Sequence, residues 1–280
     1  MNFDFQRRGG IGGLASNIAL AMAVALALIT GGTLGGVLQG QAGDPRLSGG
    51  LRHLGLQQQG SSEPPGPLYE TRADHDPGGT GKFYMGREIA QVMGPGGIPW
   101  LDRIDREREE KPSVVLEAMK IHGGEVVVDL GAGSGYFTFR IAPMVGNAGK
   151  VLAVEIQDEM LETIRQRAQA LRIKNVQAVM GSETDPHLPA GGVDIVLMVD
   201  VYHELSFPFE IMTKIREALK PGGRVMFVEY RKEDPRVRIK ELHKMSVEQL
   251  KKEMKVVGLE QVETIETLPS QHIVIFRKPR

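Results

Sequence analysis

The spacing of apolar residues divides the chain near Ser113. Beyond it, segments of helical and strand period alternate. "SVVLEAMKI" has helical spacing, "EVVVDL" is a run of strand formers, and "GYFTFRIAPMV" returns to helix. "KVLAVEI" predicts a second strand. "QDEMLETIRQRAQAL" follows as a helix with Met160, Leu161, Ile164, Ala168 and Leu171 on one face. "NVQAVM" and "VDIVLMV" predict strands three and four, "PFEIMTKIREAL" a helix, and "RVMFVEY" strand five, with Gly222 and Gly223 as the helix stop between them. A helix near "SVEQLKKEMKVV" and two extended runs, "LEQVETIET" and "QHIVIFRK", end the chain. Continuously apolar strands that alternate with helices predict an α/β fold: a Rossmann-like, seven-stranded, mostly parallel sheet with helices on both faces. The last two strands are close enough for an antiparallel C-terminal edge hairpin.

Before Ser113 the pattern changes. Residues 9–43 carry no charge, Ile18 to Ile29 is unbroken apolar sequence, and Arg7 and Arg8 stand in front. That layout predicts a signal peptide or membrane anchor over residues 1–43, with Gly40-Gln41-Ala42 as a cleavage site. If uncleaved, residues 11–38 would contact the membrane, and Ile18 to Leu38 could span a hydrocarbon core of roughly 30 Å. The expectation is an exported, periplasmic protein or a membrane-anchored one; a cytoplasm-facing anchor is the alternative. Residues 44–68, rich in Gly, Pro, Ser and Gln, read as a flexible linker. Residues 69–112 read as an N-terminal helical extension and a candidate lid. Its aromatics Phe83, Tyr84 and Trp100 would either cover a pocket or pack, and "LDRIDREREEK" reads as a solvated helix face. Residues 113–280 read as the main domain.

Composition narrows the chemistry. The 280 residues contain no cysteine, which excludes disulfides, thiolate metal sites and a Cys nucleophile. A net charge of −1 with 5% aromatics gives no field or stacking platform for nucleic acid. The expected partner is a small molecule; nothing in the sequence sets an oligomeric state.

Candidate chemistry begins in "VVVDLGAGSGYF", where Gly131, Gly133 and Gly135 follow the first strand of the domain. Ligands of open parallel sheets bind at the carboxyl ends of strands, where strand order reverses. The dinucleotide fingerprint would place a third glycine at Tyr136, so the match is incomplete. Asp129 enters the loop where a pyrophosphate would lie, and like charges repel. A cationic, phosphate-free ligand fits better, and S-adenosylmethionine (SAM) has a sulfonium, an ammonium and no phosphate. Glu155 ends the second strand, where a carboxylate can accept both ribose hydroxyls.

These motifs, with "VLAVEIQDEML", "GSETDPHLPAGGVDIVLMVDVYHEL" and "LKPGGRVMFVEY" in that order, resemble the class I SAM-dependent methyltransferases over about Ser113 to Arg280. Within that family the likeness is to small-molecule methyltransferases. The resemblance implies SAM as cofactor. It places Asp129, Gly131, Ala132, Gly133 and Gly135 around the methionine part and Glu155 at the ribose, with Tyr136 and Ile156 also among the contacts. Ser182 and Glu183 would approach the adenine, with Asp185 as alternative to Glu183, and Asp200 would stand beside the reacting methyl.

"DVYHEL" supplies His203, Tyr202 and Glu204 just past the fourth strand, where an acceptor would sit. His203 titrates near neutrality and could take a proton; otherwise it caps the next helix and Tyr202 is core. His243 could face the acceptor side, and His75 reads as a solvated loop residue. Because His203-Glu204 has no second histidine at helical spacing, no metal site is expected. The functional expectation is methyl transfer to a small acceptor. The alternatives are a SAM-binding scaffold without turnover, or transfer of another SAM-derived group.

Overall fold

Residues 68–280 are described in a computed structural model. The expected signal or anchor over 1–43, and the linker but for its last residue, lie outside the described residues. Among the described residues no helix is long and apolar enough to cross a membrane.

The first described segment corrects the expected helical extension. Strands β1 (Tyr69–Thr71), β2 (Gly79–Tyr84) and β3 (Arg87–Ala90) form an antiparallel three-stranded sheet. Tyr84 pairs with Arg87, so Met85 and Gly86 make a two-residue hairpin turn, both at positive φ (50° and 97°). That is the turn geometry whose twist matches paired strands. "GKFYMGREIA" carries this signal as two short runs about a Met-Gly turn. Only afterwards come short helices α1 (Ile98–Leu101), α2 (Arg106–Glu110) and α3 (Pro112–Ala118).

The second half follows the expected alternation: β4 (Val126–Leu130), α4 (Thr138–Val145), β5 (Lys150–Glu155), α5 (Asp158–Ala170), β6 (Val176–Met180), β7 (Val193–Val199), α6 (Pro208–Ala218) and β8 (Leu219–Arg231). The two-residue β9 (Lys244–Met245), α7 (Val247–Val257), β10 (Glu260–Ile265) and β11 (Gln271–Arg277) complete it. The seven main strands run in the order β10-β11-β8-β7-β4-β5-β6, with β9 paired to β8. Strands β4 to β8 pair in parallel, and β10 and β11 form the antiparallel edge hairpin against β8. Helix α6 stops at Ala218, ahead of the glycines, because Leu219 already turns extended at ψ 137°. Leu171, expected on the buried face of α5, is 59% exposed just past the helix end.

Period-two alternation splits each central strand between two cores. Val128, Val196, Met198 and Phe227 pack on one face with Ile211, Met212, Leu250 and Met254 from α6 and α7. Their neighbours Val127, Ile195, Leu197, Met226 and Val228 pack on the other with Val115, Met119, Ile141 and Val145, mainly from α3 and α4. Strand order reverses between β4 and β7, so their carboxyl ends diverge into a crevice.

Candidate active site

The crevice is a cavity of about 520 Å³. Gly131 and Gly133 line it after β4, Glu155 and Ile156 at the end of β5, Ser182 and Glu183 after β6, and Asp200, His203 and Glu204 after β7. His243 lines it from the turn before β9. The glycines are conformational requirements: Gly131 and Gly133 sit at φ 67° and 56°. A Cβ on Gly131 would stand 2.5 Å from Val201, and one on Gly133 2.6 Å from Leu101. Glu155 is 7% exposed; its carboxylate accepts the Gly133 N–H at 2.7 Å and the Ile156 N–H at 3.1 Å. Each oxygen keeps lone-pair capacity for a ligand hydroxyl.

Strand parity relocates Asp129. On β4 it shares a face with Val127, the α4 side, so it points beneath the start of α4 and does not line the cavity. It is 3% exposed, and its Oδ2 accepts the Thr138 hydroxyl at 2.6 Å. Burial pushes its carboxyl up to about 6. Ala132, Gly135 and Tyr136 also stand off the cavity; Tyr136 is stacked by Arg106 and Arg140, at 4.3 and 3.6 Å from its ring centroid. Tyr202 is core: wholly buried, it donates its hydroxyl to Glu253 at 2.6 Å. Asp185 is likewise off the wall, where Glu183 lies.

His203 is the pivot of a buried polar chain. Its Nδ1 donates to Glu229 Oε2 at 2.6 Å, and its Nε2 faces His243 Nδ1 at 3.0 Å. Glu229 is fully buried and also accepts the Tyr202 N–H at 2.8 Å. A carboxylate only accepts, so Glu229 keeps a proton on Nδ1 and turns Nε2 toward His243. Burial opposes charging His203, but Glu229, with Glu204 and Asp200 nearby, outweighs it and holds the imidazole above the ordinary histidine range. Burial and the neighbouring His203 push His243 down. Burial raises Glu204 to about 7.

The charge run on α2, expected to be solvated, is split: Glu107 and Arg108 are exposed, but Arg106 and Glu110 are part of the wall. Arg106 and Glu110 are 5% and 6% exposed and bond at 2.7 Å, and Tyr230 donates to Glu110 at 3.2 Å. Both line the cavity with Trp100 and Leu101 from α1 and Met93 and Gln91 before it. Asp102 ties this strap to the glycine loop by accepting the Ser134 hydroxyl at 2.8 Å. The glutamate at position 229 was detectable as one acid closing the apolar run "VMFVE"; His243 was a candidate for the acceptor side, whereas nothing local marked Arg106.

Asp200 adopts φ 54°, accepts from Gln271 at 2.7 Å through Oδ2, and leaves its buried Oδ1 without a partner. Burial, then Glu229 and Glu110, push its carboxyl up to about 8. An acid raised in the fold is protonated there while the unfolded chain, near 4, is already ionised. The folded state therefore binds the extra proton between about pH 4 and 8, and this group costs stability as pH rises through that window. Asp200→Asn is expected to match the parent near pH 4 and to unfold at higher urea than the parent at pH 8. Equal midpoints at both pH values would refute the assignment.

A methyltransferase-domain family model matches residues 121–273. An uncharacterized 37.1 kDa protein in transposon TN4556 of Streptomyces fradiae is 30% identical over 138 residues, 48% of this chain and 39% of that protein. The ubiquinone/menaquinone biosynthesis C-methyltransferase UbiE of Salmonella arizonae is 27% identical over 118 residues, 42% of this chain and 47% of its own. The chain thus spans less than half the length of either relative. Among solved structures, a SAM-dependent methyltransferase from Aquifex aeolicus superposes with TM-score 0.63 and 25% identity over 67% of this chain and 100% of its own. The [4+2]-cyclase SpnF, at 16% identity and TM-score 0.53 over 60% of this chain and 80% of its own, shares the fold alone.

Proposed function

This chain belongs to the class I SAM-dependent methyltransferase family, and on that premise we propose that it methylates a small protic acceptor seated against His203, Glu204 and His243. One observation carries the reading. A single cavity joins the glycine loop and Glu155 to the His203 cluster, with Asp200 on the same wall. A pocket of that volume suits a cofactor with a small acceptor. Among the acids that line it Asp200 is protonated below about pH 8, which leaves Glu155 and Glu183 to face Lys240, while Glu110 already pairs Arg106. That balance favours a cationic ligand.

In this reading Glu155 accepts the ribose hydroxyls, Gly131 and Gly133 let the backbone approach the methionine part, and Ser182 and Glu183 flank the adenine. SAM supplies a methyl on a cationic sulfur. The chain's work is to hold the nucleophile in line with that methyl at near-attack distance. The polar cluster manages the acceptor's proton: Glu229 fixes the His203 tautomer and stabilises positive charge on the ring.

Calorimetry on the full chain tests the cofactor half, with SAM and its demethylated product both expected to bind. Glu155→Ala removes two charge-assisted hydrogen bonds, together about 3 kcal/mol, and should weaken binding on the order of a hundredfold. If neither ligand binds the parent, the proposal is wrong. Labelled SAM with a panel of phenols, quinols and thiols then tests turnover, and labelled product excludes a binding-only scaffold. For residues 1–43, a reporter fused after Arg280 would report which side of a membrane the domain occupies.

A further inference from the structure

We infer that His203, His243 and Glu204 form a binding site for one divalent transition-metal ion at the acceptor end of the cavity. The three donor atoms converge. His203 Nε2 and His243 Nδ1 are 3.0 Å apart, and Glu204 Oε1 lies 3.8 Å from the first and 3.9 Å from the second. A point equidistant from all three is about 2.1 Å from each, which is the bond length of zinc to imidazole nitrogen or carboxylate oxygen. Drawing Glu204 in by a few tenths of an ångström would lift the ion out of that plane into a tetrahedral or octahedral face. Among the described residues this is the one group of three metal-ligating side chains that meets in this way.

The surroundings are those of a ligand site. His203 is 2% exposed and held by the fully buried Glu229 through the nitrogen that would not ligate. A carboxylate behind a ligating histidine orients the ring and raises its basicity. All three side chains line the cavity, so an ion there would keep coordination positions open toward it. Open positions distinguish catalytic sites from closed structural ones. Two imidazoles and a carboxylate suit zinc, cobalt or iron in the divalent state better than magnesium or calcium. Sequence spacing hid the set, because His243 arrives from 40 residues away.

The chemistry assigned to the ion rests on the methyl-transfer reading; the site itself does not. A hydroxyl or thiol acceptor would ligate the ion as its anion, releasing its proton to solvent on binding. The anion's lone pair then forms the new bond to the SAM methyl carbon. The carbon–sulfur bond breaks with its pair left on sulfur, so cation and anion become neutral thioether and neutral methylated product. His203 then serves as ligand, and the ion takes over the task of deprotonation.

The test uses the full chain, stripped with a chelator and titrated with Co²⁺ and Zn²⁺. Elemental analysis after gel filtration should find one ion per chain, and Co²⁺ should develop visible ligand-field bands. Glu229→Gln, which keeps the shape, should weaken affinity about 10- to 100-fold. His243→Ala should lose the bands and the bound ion, and Glu204→Gln provides the same reading should that variant not fold. Failure to retain an ion, or bands unchanged in the folded ligand variants, overturns the inference. SAM calorimetry on the stripped protein separates the two readings. SAM binding without metal binding sinks the ion alone, whereas metal binding without SAM binding sinks the methyl-transfer reading and leaves the site.

Discussion

Arg87→Met is expected to destabilise the fold by about 3–5 kcal/mol, the usual cost of removing one partner of a buried ion pair. Arg87 grips Glu253 with two bonds, Nε to Oε1 at 2.7 Å and Nη2 to Oε2 at 3.1 Å, and their side chains are 8% and 0% exposed. The pair joins the three-stranded N-terminal sheet to α7. Glu253 also accepts from the Tyr202 hydroxyl and from Gln249, so removing Arg87 leaves an anion in the core with only neutral donors. Lysine would not substitute, since it has no planar fork to match the carboxylate. Urea denaturation should show the loss as a lower midpoint. The double variant Arg87→Met/Glu253→Leu should recover part of it, because no charge is then stranded. A single variant within about 1 kcal/mol of the parent would show that the pair is only as valuable as a surface bridge.

His203→Ala should lower methyl transfer by about 10²–10⁴-fold, the range for loss of a positioned proton-handling group, while SAM affinity holds. The split follows from position: His203 stands in the turn after β7 beside His243, whereas the glycine loop and Glu155 belong to β4 and β5. Initial rates with the acceptor found in the panel, beside SAM calorimetry on the same preparation, measure both quantities. Parallel loss of SAM affinity would place His203 in the cofactor half and defeat the assignment.

The parallel sheet, its helices and the edge hairpin were legible because apolar period and glycine turns are local signals. Part of the cavity wall was legible for a related reason: residues at strand ends, such as Glu155 and Asp200, need only the strand assignment to be located. Asp129 shows where that logic stops. Its position beside the loop was readable, but strand parity decides which way it points, and it points under α4. Tyr202, left open between acceptor side and core, and Arg106, expected in solvent, were decided in a similar way. A tyrosine beside the cavity turned inward to Glu253, and an arginine in a charge-rich helix turned inward to Glu110. The N-terminal hairpin was missed because its turn is Met85-Gly86 and the stronger Gly-Pro-Gly-Gly signal lies just beyond.

By itself the sequence determined a parallel α/β domain with a glycine loop after its first strand and acids at the ends of the next ones. Those properties follow from backbone period, glycine's tolerance of positive φ and strand termination, all of which act over a few residues. Only the tertiary structure decided that Arg106 and Glu110 wall the cavity and that Glu229 stands behind His203. It also brought His243 within 3.0 Å of His203, making the two a unit. Such contacts depend on which strands neighbour each other and which side chains lose water together, and neither is encoded in spacing along the chain.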